Sequence, residues 1–246
     1  MFDVVLLAAG RGIRMEGANG NKPKCLMPLK SGTVLSDLID KLSLLSPRKI
    51  KVVGGFGYEN LKSYLEGHST HLQKDIELIR NNKFELDRNI YSALIGQESM
   101  DANAGVLFVE ADIVLLDPVL EKIKNYILDG RSFIGVSGRY HSKNTGGYVI
   151  LDEFGYIVAI GYQQSFEAKL EGSHRMIGFL YVSEQDFHVD LHLRKKLCNI
   201  DIDNYYFASI YKKEHLLDLR ALEIEENLVR SFNTMIEYNE VTGLGK

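Results

Sequence analysis

A glycine-rich turn near the start of the chain combines residue types that suit phosphate binding. Gly10 and Gly12 follow a short apolar run, and Arg14, Lys22 and Lys24 come soon after them. Glycine lets the backbone approach a ligand closely, and successive amide N–H groups can surround an anion. Cationic side chains beside such a turn indicate a site for a polyphosphate.

Two better-known phosphate motifs do not fit this turn. The P-loop requires Gly-Lys followed by Ser or Thr after a second glycine, and this sequence does not contain it. The dinucleotide fingerprint requires a third glycine where Met15 stands, with a helix that begins at once. An oxidoreductase on a dinucleotide-binding fold is therefore disfavoured.

Two acidic residues further along the chain suit a metal ion. Glu110 and Asp112 come directly after the apolar segment 105–109. The carboxyl ends of parallel strands share one edge of an open α/β sheet, so we expect Asp112 to face the glycine-rich turn. Magnesium binds through one or two carboxylates together with substrate phosphates and water, which makes Asp112 the first candidate ligand. The alternative for Asp112 is a turn or a helix cap.

Apolar patterns over the first half of the chain predict the elements that position these residues. Short apolar runs predict strands, and apolar residues at helical spacing predict helices. The predicted strands cover residues 2–9, 49–54, 76–79 and 105–109, and the predicted helices cover 34–45, 58–65, 89–95 and 119–128. Strands that alternate with helices indicate βαβ units and a parallel sheet.

The pattern changes after residue 130. Segments rich in β-branched and aromatic residues predict hairpins at 133–137, 147–151, 156–161 and 176–182. Helical periodicity then covers 189–197 and 205–217, a strand is expected at 227–232, and Asn233 is expected to cap a last helix. The expected fold is a single α/β domain, residues 1–246, with a Rossmann-like, mostly parallel sheet flanked by helices and a hairpin-rich insertion.

The composition of the chain excludes several classes of protein. A net charge of −4 over 246 residues offers no basic surface for nucleic acid. Cys25 and Cys198 are too far apart for a disulfide framework or a cysteine zinc site. No apolar stretch is long enough to span a membrane, and the N-terminal residues do not resemble a signal peptide. We therefore expect a cytoplasmic protein, and a homodimer stays open.

The glycine-rich turn and the lysine segment together resemble the signature of the NTP-transferase superfamily. Residues 7–15 read Leu-Ala-Ala-Gly-Arg-Gly-Ile-Arg-Met, and residues 22–29 read Lys-Pro-Lys-Cys-Leu-Met-Pro-Leu. Two further segments, 81–92 and 110–115, are similar to bacterial CTP:phosphocholine cytidylyltransferases. The resemblance is good up to about residue 120.

This resemblance implies a magnesium-dependent transfer of CMP from CTP, or of another nucleotide from its NTP, to a small phosphorylated or phosphonate acceptor. Arg14 is then expected at the leaving pyrophosphate and Lys24 at the α-phosphate, as the catalytic cations. The residues expected to bind the nucleotide are Ala8, Ala9, Gly10, Gly12, Asn81, Asn89 and Ser92. Among these, Asn81 and Ser92 would contact the base or the ribose, and Asn89 would cap the following helix.

The second metal ligand is where this chain departs from the similar enzymes. They carry Glu-Ile-Asp-Thr near the C-terminus, with the aspartate on the metal, whereas residues 231–234 here read Ser-Phe-Asn-Thr. Asn233 is therefore expected to supply a neutral carbonyl oxygen. The alternative is that Asn233 only caps the last helix.

The resemblance divides the chain into a nucleotide-binding part, 1–130, an acceptor-binding part, 131–220, and a returning strand and helix, 221–246. The candidate acceptor-binding residues are Arg139, Tyr148 and Tyr181, followed by Tyr162 and Arg175. Phosphocholine would favour an aromatic cage. The chain has no Trp, so aminoethylphosphonate or a phosphorylated amino acid is equally open.

Two other functions stay open from the sequence. A sugar-1-phosphate nucleotidyltransferase would share the phosphate-binding residues and differ in the hairpin-rich part. A nucleotide-binding module without turnover would result if Asn233 cannot replace the aspartate.

Overall fold

Over the residues that the structure describes, a nine-stranded sheet carries helices on both of its faces. The computed structural model describes residues 1–12, 15, 22–67, 76–141 and 145–242. The strands are β1 (Phe2–Ala8), β2 (Pro28–Leu29), β3 (Gly32–Thr33), β4 (Ile50–Gly54), β5 (Ile76–Arg80), β6 (Gly105–Glu110), β7 (Ile113–Leu115), β8 (Ser132–Arg139), β9 (Gly146–Leu151), β10 (Ile157–Gln163), β11 (His174–Val182), β12 (Leu219–Glu223) and β13 (Val229–Ser231). The helices are α1 (Val34–Ser43), α2 (Tyr58–Gly67), α3 (Ile90–Glu98), α4 (Asp117–Asp129), α5 (Phe187–Cys198) and α6 (Met235–Thr242). None of these helices is long and apolar enough to cross a lipid bilayer.

Parallel strands form the part of the sheet that carries the glycine-rich turn. Hydrogen bonds join them in the order β6, β1, β4 and β5. Val4 and Leu6 of β1 pack on the face covered by α1 and α4, whereas Val5 and Leu7 pack on the face covered by α3 and α5. A strand buried on both faces needs a continuous apolar run, which is the pattern that the sequence shows. The predicted α/β fold is confirmed.

The second half of the chain adds antiparallel strands to the same sheet. β11 pairs with β6 through its last residues and with β9 through its first residues. Gly178 lies between the two pairings with a φ of 78°, a left-handed conformation that favours glycine. A Cβ atom at Gly178 would lie 3.1 Å from Glu110 Oε2. Between these two pairings, beside the end of β6, the sheet therefore has a gap. The hairpin of β9 and β10 lies on the far side of this gap.

The helix predicted over residues 205–217 is wrong. This segment instead contains two short 3₁₀ turns, Ala208–Ile210 and Glu214–Leu216. Lys212 separates them with a φ of 58°, a left-handed conformation that ends any helix at this point. The chain then enters β12, which pairs in parallel with β8 and which the sequence did not predict.

The C-terminal segment contains the short strand that the sequence predicts, and this strand belongs to a separate two-stranded sheet. β13 lies within the strand expected at 227–232 and pairs antiparallel with β7, so that Ser231 lies opposite Ile113. Because β7 follows Asp112 directly, this pairing brings the residues after β13 close to that carboxylate.

Candidate active site

A cleft of about 1200 Å³ opens at the carboxyl ends of β1 and β6. Its walls include the turn after β1, the residues before and within the first turn of α3, the end of β6, and the later segments 203–207 and 229–233. Ligands of open α/β sheets bind at this edge of the parallel strands.

Lys24, Asp112 and Asn233 meet in this cleft although they lie in three distant segments. Lys24 Nζ donates to Asp112 Oδ2 at 2.6 Å and to Asn233 Oδ1 at 3.2 Å. The ammonium also lies 4.7 Å from the centre of the Phe232 ring. The structure thus brings together the predicted phosphate-binding lysine and both predicted metal ligands. The predicted catalytic residue Arg14 lies outside the described residues.

The backbone around Lys24 explains how the ammonium is held in place. Lys24 begins a 3₁₀ turn, Lys24–Leu26, and its side chain is mostly buried. Gly12, with a φ of 62°, packs against the lysine stem, and a Cβ atom there would lie 3.5 Å from Lys24 Cβ. Met15 and Phe232 belong to one small apolar cluster, which joins the glycine-rich turn to the C-terminal segment.

Asp112 and Glu110 place two carboxyl groups at one end of the cleft. Both residues line the cleft, Glu110 at the end of β6 and Asp112 in the turn before β7. Burial, followed by the charge of Asp112, raises the pKa of Glu110 to about 8, while Lys24 and Asn89 oppose the rise. With that pKa, Glu110 is largely protonated near pH 7, and a cation bound at this end of the cleft would favour its ionised form.

The capping of α6 leaves the Asn233 side chain directed to the cleft. Thr234 Oγ1 accepts a hydrogen bond from Glu237 N at 3.2 Å, and Glu237 Oε2 accepts one from Thr234 N at 3.1 Å. This reciprocal pair is a capping box with Thr234 as the N-cap residue. The expectation that Asn233 caps the last helix is therefore wrong.

Asp87, and not Asn89, caps α3. Asp87 Oδ1 accepts from Tyr91 N at 2.8 Å, and Oδ2 accepts from Ser92 N at 2.9 Å. Asn81 Nδ2 donates to the same carboxylate at 2.8 Å and to Ser92 Oγ at 2.9 Å. Asn81 is buried behind Ser92 and outside the cleft lining, so its position does not favour the predicted contact with a base.

Asn89 instead connects the start of α3 to the segment 203–207. Asn89 Oδ1 accepts from Tyr206 N at 2.6 Å, and its Nδ2 donates to Glu110 Oε1 at 3.5 Å. Its own N–H donates to Asn204 O at 3.3 Å. The Asn89 side chain therefore connects the start of α3 and the segment 203–207, which both line the cleft, to Glu110 at the end of β6.

Apart from Asn81, the predicted nucleotide-binding residues line the cleft. The lining residues among them are Ala8, Ala9, Gly10, Gly12, Asn89 and Ser92. A Cβ atom at Gly10 would meet no atom within 4 Å, so the packing of the protein does not itself require glycine there. The bare backbone at Gly10 leaves room for a ligand.

Comparison with known proteins relates the whole chain to characterised enzymes. A family model described as a domain of unknown function, DUF6564, matches residues 24–136. The chain is 24% identical to CTP:phosphoglutamine cytidylyltransferase of Campylobacter jejuni, over 92% of this chain and 94% of that enzyme. It is 27% identical to 2-aminoethylphosphonate cytidylyltransferase of Lancefieldella rimae, over 75% of this chain and 68% of that enzyme.

A solved structure shows the same fold. CTP:phosphocholine cytidylyltransferase from Streptococcus pneumoniae matches with a TM-score of 0.78 and 16% identity, over 100% of this chain and 99% of that one. These similarities confirm the resemblance to the NTP-transferase superfamily. The chain is therefore an enzyme of the nucleotidyltransferase class.

In this nucleotidyltransferase, the three first candidates for acceptor binding lie outside the cleft lining. Tyr181 is buried in the core and stacks on Phe133, with 5.1 Å between the ring centroids. Tyr148 packs edge-on against Tyr140, and Arg139 lines a separate cavity of about 450 Å³. Successive residues of a strand point to opposite faces, and the sequence did not reveal which face of each hairpin strand borders the cleft.

The part of the cleft lined by β10, β11 and the segment 203–207, here called the acceptor side, contains two residues that were lower-ranked candidates and one that was not predicted. Tyr162 and Arg175, the further candidates, both line the cleft. Tyr205 was missed, and its ring stacks on Tyr162 with 4.0 Å between the centroids. The sequence does contain a signal for an exposed aromatic side chain here. Three consecutive aromatic residues, 205–207, cannot all lie on the buried face of the predicted helix.

Proposed function

We propose that this nucleotidyltransferase is a magnesium-dependent cytidylyltransferase, which joins CMP from CTP to a small phosphorylated or phosphonate acceptor and releases pyrophosphate. The convergence of Lys24, Asp112 and Asn233 beside the glycine-rich turn carries the proposal. A reaction between two phosphate anions depends on such positioning and charge neutralisation. The activities named for the similar enzymes support CTP as the donor and a phosphorylated or phosphonate acceptor.

The transfer requires little proton chemistry. An oxygen of the acceptor phosphoryl group attacks the α-phosphorus of CTP and forms a new P–O bond. The bond between the α-phosphorus and the bridging oxygen breaks, and its electron pair leaves with pyrophosphate. Since the attacking group is already ionised near pH 7, no general base is needed. Lys24 would neutralise the charge that develops at the α-phosphate, and Arg14 is expected to do so at the pyrophosphate.

Asp112 and Asn233 suit a magnesium ion that is shared with the triphosphate. Their oxygens lie 2.6 Å and 3.2 Å from one ammonium nitrogen, so both already face a single cation. Magnesium uses one or two protein oxygens and completes its shell with phosphates and water. When bound, the ion would supply charge neutralisation and would orient the phosphates.

We assign the triphosphate to the turn that contains Gly10 and Gly12, and the base or ribose to the first turn of α3 at Ser92. Ser92 Oγ is oriented by Asp87 and Asn81, at 2.7 Å and 2.9 Å. A hydroxyl held by fixed partners can distinguish donors from acceptors on a ligand edge.

The test measures pyrophosphate release from each NTP with Mg²⁺ and a panel of acceptors: phosphocholine, phosphoethanolamine, 2-aminoethylphosphonate, O-phosphoserine and glucose 1-phosphate. We expect release with CTP and a phospho- or phosphono-amine, and loss of release in EDTA. Lys24→Ala and Asp112→Ala should each lower kcat by about 100-fold or more, because each removes charge stabilisation at the reacting phosphates.

Lys195→Ala is the matched control, since Lys195 forms a 2.9 Å ion pair with Glu98 on the surface and outside the cleft. Its kcat should stay at the wild-type value. A folded protein that releases no pyrophosphate from any combination would contradict the proposal. Binding of CTP without turnover would favour a nucleotide-binding module, and turnover with the sugar phosphate alone would favour the sugar-1-phosphate enzyme.

A further inference from the structure

Arg175 is a half-buried cation of the cleft that has no partner among the described residues. Lys24 pairs with Asp112, and Arg88 pairs with Asp203 at 2.6 Å. Arg175 is half-buried and lines the cleft, and no described residue forms an ion pair or hydrogen bond with its guanidinium. A partly desolvated charge without a partner is costly, and an anionic ligand would remove that cost.

The position of Arg175 on β11 separates it from the reacting phosphates. Gly178 lies beside Glu110 at the end of β6, and Arg175 precedes it by three residues, opposite Tyr148 of β9. At about 3.3 Å per residue, the backbone of Arg175 lies roughly 10 Å beyond Gly178. The acceptor phosphoryl group must lie near Lys24 to react. Arg175 is therefore placed for the opposite end of a small acceptor.

A second arginine of the cleft, Arg230, lies at the phosphate end. It belongs to β13, is exposed, and precedes Asn233 by three residues. Arg230 is therefore expected to affect the triphosphate, whereas Arg175 is expected to affect the acceptor. The two arginines give a matched comparison within one cleft.

The stacked side chains of Tyr162 and Tyr205 are poorly suited to a quaternary ammonium group. Tyr162 and Tyr205 cover each other, with 4.0 Å between centroids and 22° between ring planes. The Arg88 guanidinium already lies 5.6 Å from the centre of the Tyr205 ring. A cation needs an open ring face, and at Tyr205 it would also lie close to another positive charge.

We propose that Arg175 binds a carboxylate of the acceptor, at the end remote from the phosphoryl group that reacts. This inference rests on the proposed function and narrows the acceptor to a phosphorylated or phosphonate amino acid. The planar guanidinium can donate two parallel hydrogen bonds to a carboxylate, which gives both affinity and orientation.

Two pairs of acceptors, each differing by one carboxylate, test the inference. O-phosphoserine is compared with phosphoethanolamine, and 2-amino-3-phosphonopropionate is compared with 2-aminoethylphosphonate. In the wild type, we expect kcat/KM to be about tenfold or more higher for the carboxylate member of each pair, as for a hydrogen-bonded charge pair. Arg175→Gln should reduce this ratio to near one, and Arg175→Lys should restore part of it. Arg230→Gln should lower both members alike and leave the ratio unchanged.

Calorimetry of the same acceptors with CTP in EDTA gives a readout that does not depend on turnover. If no acceptor releases pyrophosphate, the proposed function fails, and the binding ratio alone then decides the role of Arg175. Equal binding within each pair, a preference that survives in Arg175→Gln, or no binding of any acceptor would overturn the inference. Unfolding midpoints in urea confirm that the variants are folded.

Discussion

The parallel part of the sheet and the antiparallel part are stabilised in different ways. In the parallel part, β1, β4 and β6 consist mainly of apolar residues and lie between two helical layers. The antiparallel part is formed by β8 to β11, and buried polar groups of α5, the helix that follows β11, fix the neighbouring segments. Asp186 accepts from Ser132 and from Asp218 N, and Asp190 pairs with Arg194. Apolar burial is non-directional, whereas buried polar contacts require a defined geometry.

Arg194 shows how this second kind of stabilisation reaches the cleft. Its side chain is fully buried, donates to Asp190 Oδ2 at 2.8 Å and to Gln97 Oε1 at 3.1 Å, and also donates to Tyr206 O. The guanidinium lies 4.6 Å from the centre of the Phe108 ring. Arg194 therefore holds the segment 203–207, which lines the cleft, against α3 and α5.

The largest effect is expected from breaking this ion pair. Arg194→Met should lower the free energy of unfolding by about 3–5 kcal/mol, because it leaves the Asp190 carboxylate buried without a partner. The double variant Asp190→Leu with Arg194→Met should recover much of the loss, since it removes both charges. Urea unfolding followed by circular dichroism measures both values.

Lys122→Met is the control, because Lys122 pairs with Glu225 at 2.9 Å on the surface. Its cost should be about 1 kcal/mol or less. A cost for Arg194→Met as small as that of Lys122→Met would show that the buried ion pair of α5 stabilises the protein no more than a surface pair does.

The same contrast explains how much the sequence could predict. The parallel strands and the loop cations are local patterns, so Lys24 and Asp112 could be named before the fold was known. Asn233 required a resemblance, because only the pairing of β13 with β7 brings it to Lys24. The acceptor wall depends on which strand faces point inward and on contacts across more than a hundred residues, such as Asn89 with Tyr206. Single-sequence periodicity contains neither kind of information.

An intermediate effect is expected at the link between the two parts. Arg88 forms an ion pair with Asp203 and lies over the Tyr205 ring, so it connects the start of α3 to the acceptor side. Arg88→Ala should raise the KM for the acceptor by about three- to tenfold, with a smaller change in the KM for CTP, because the loss mainly affects positioning. Steady-state kinetics with each substrate varied in turn measures the split.

Arg80 provides a closely matched control for Arg88. It also pairs with a carboxylate, Glu59 at 3.5 Å, and lies over a tyrosine ring, Tyr58 at 4.7 Å, but it belongs to β5 outside the cleft. Arg80→Ala should leave both KM values unchanged. Equal effects of the two variants on the acceptor would mean that Arg88 acts through general stability and not through the cleft.

The smallest effect is expected from removing one hydroxyl group from each of two tyrosines. Burial, followed by the charge of Glu184, raises the pKa of Tyr181 to about 12, so its phenol is neutral at working pH. Tyr181→Phe should therefore change kcat/KM by less than about twofold and stability by about 1 kcal/mol or less. Tyr162→Phe likewise removes a phenol hydroxyl, but from a residue that lines the cleft, and should raise the acceptor KM by about threefold. If Tyr181→Phe raised the acceptor KM more than Tyr162→Phe, the acceptor would bind on the core-facing side of β11, and the assignment of the cleft as the acceptor site would have to be abandoned.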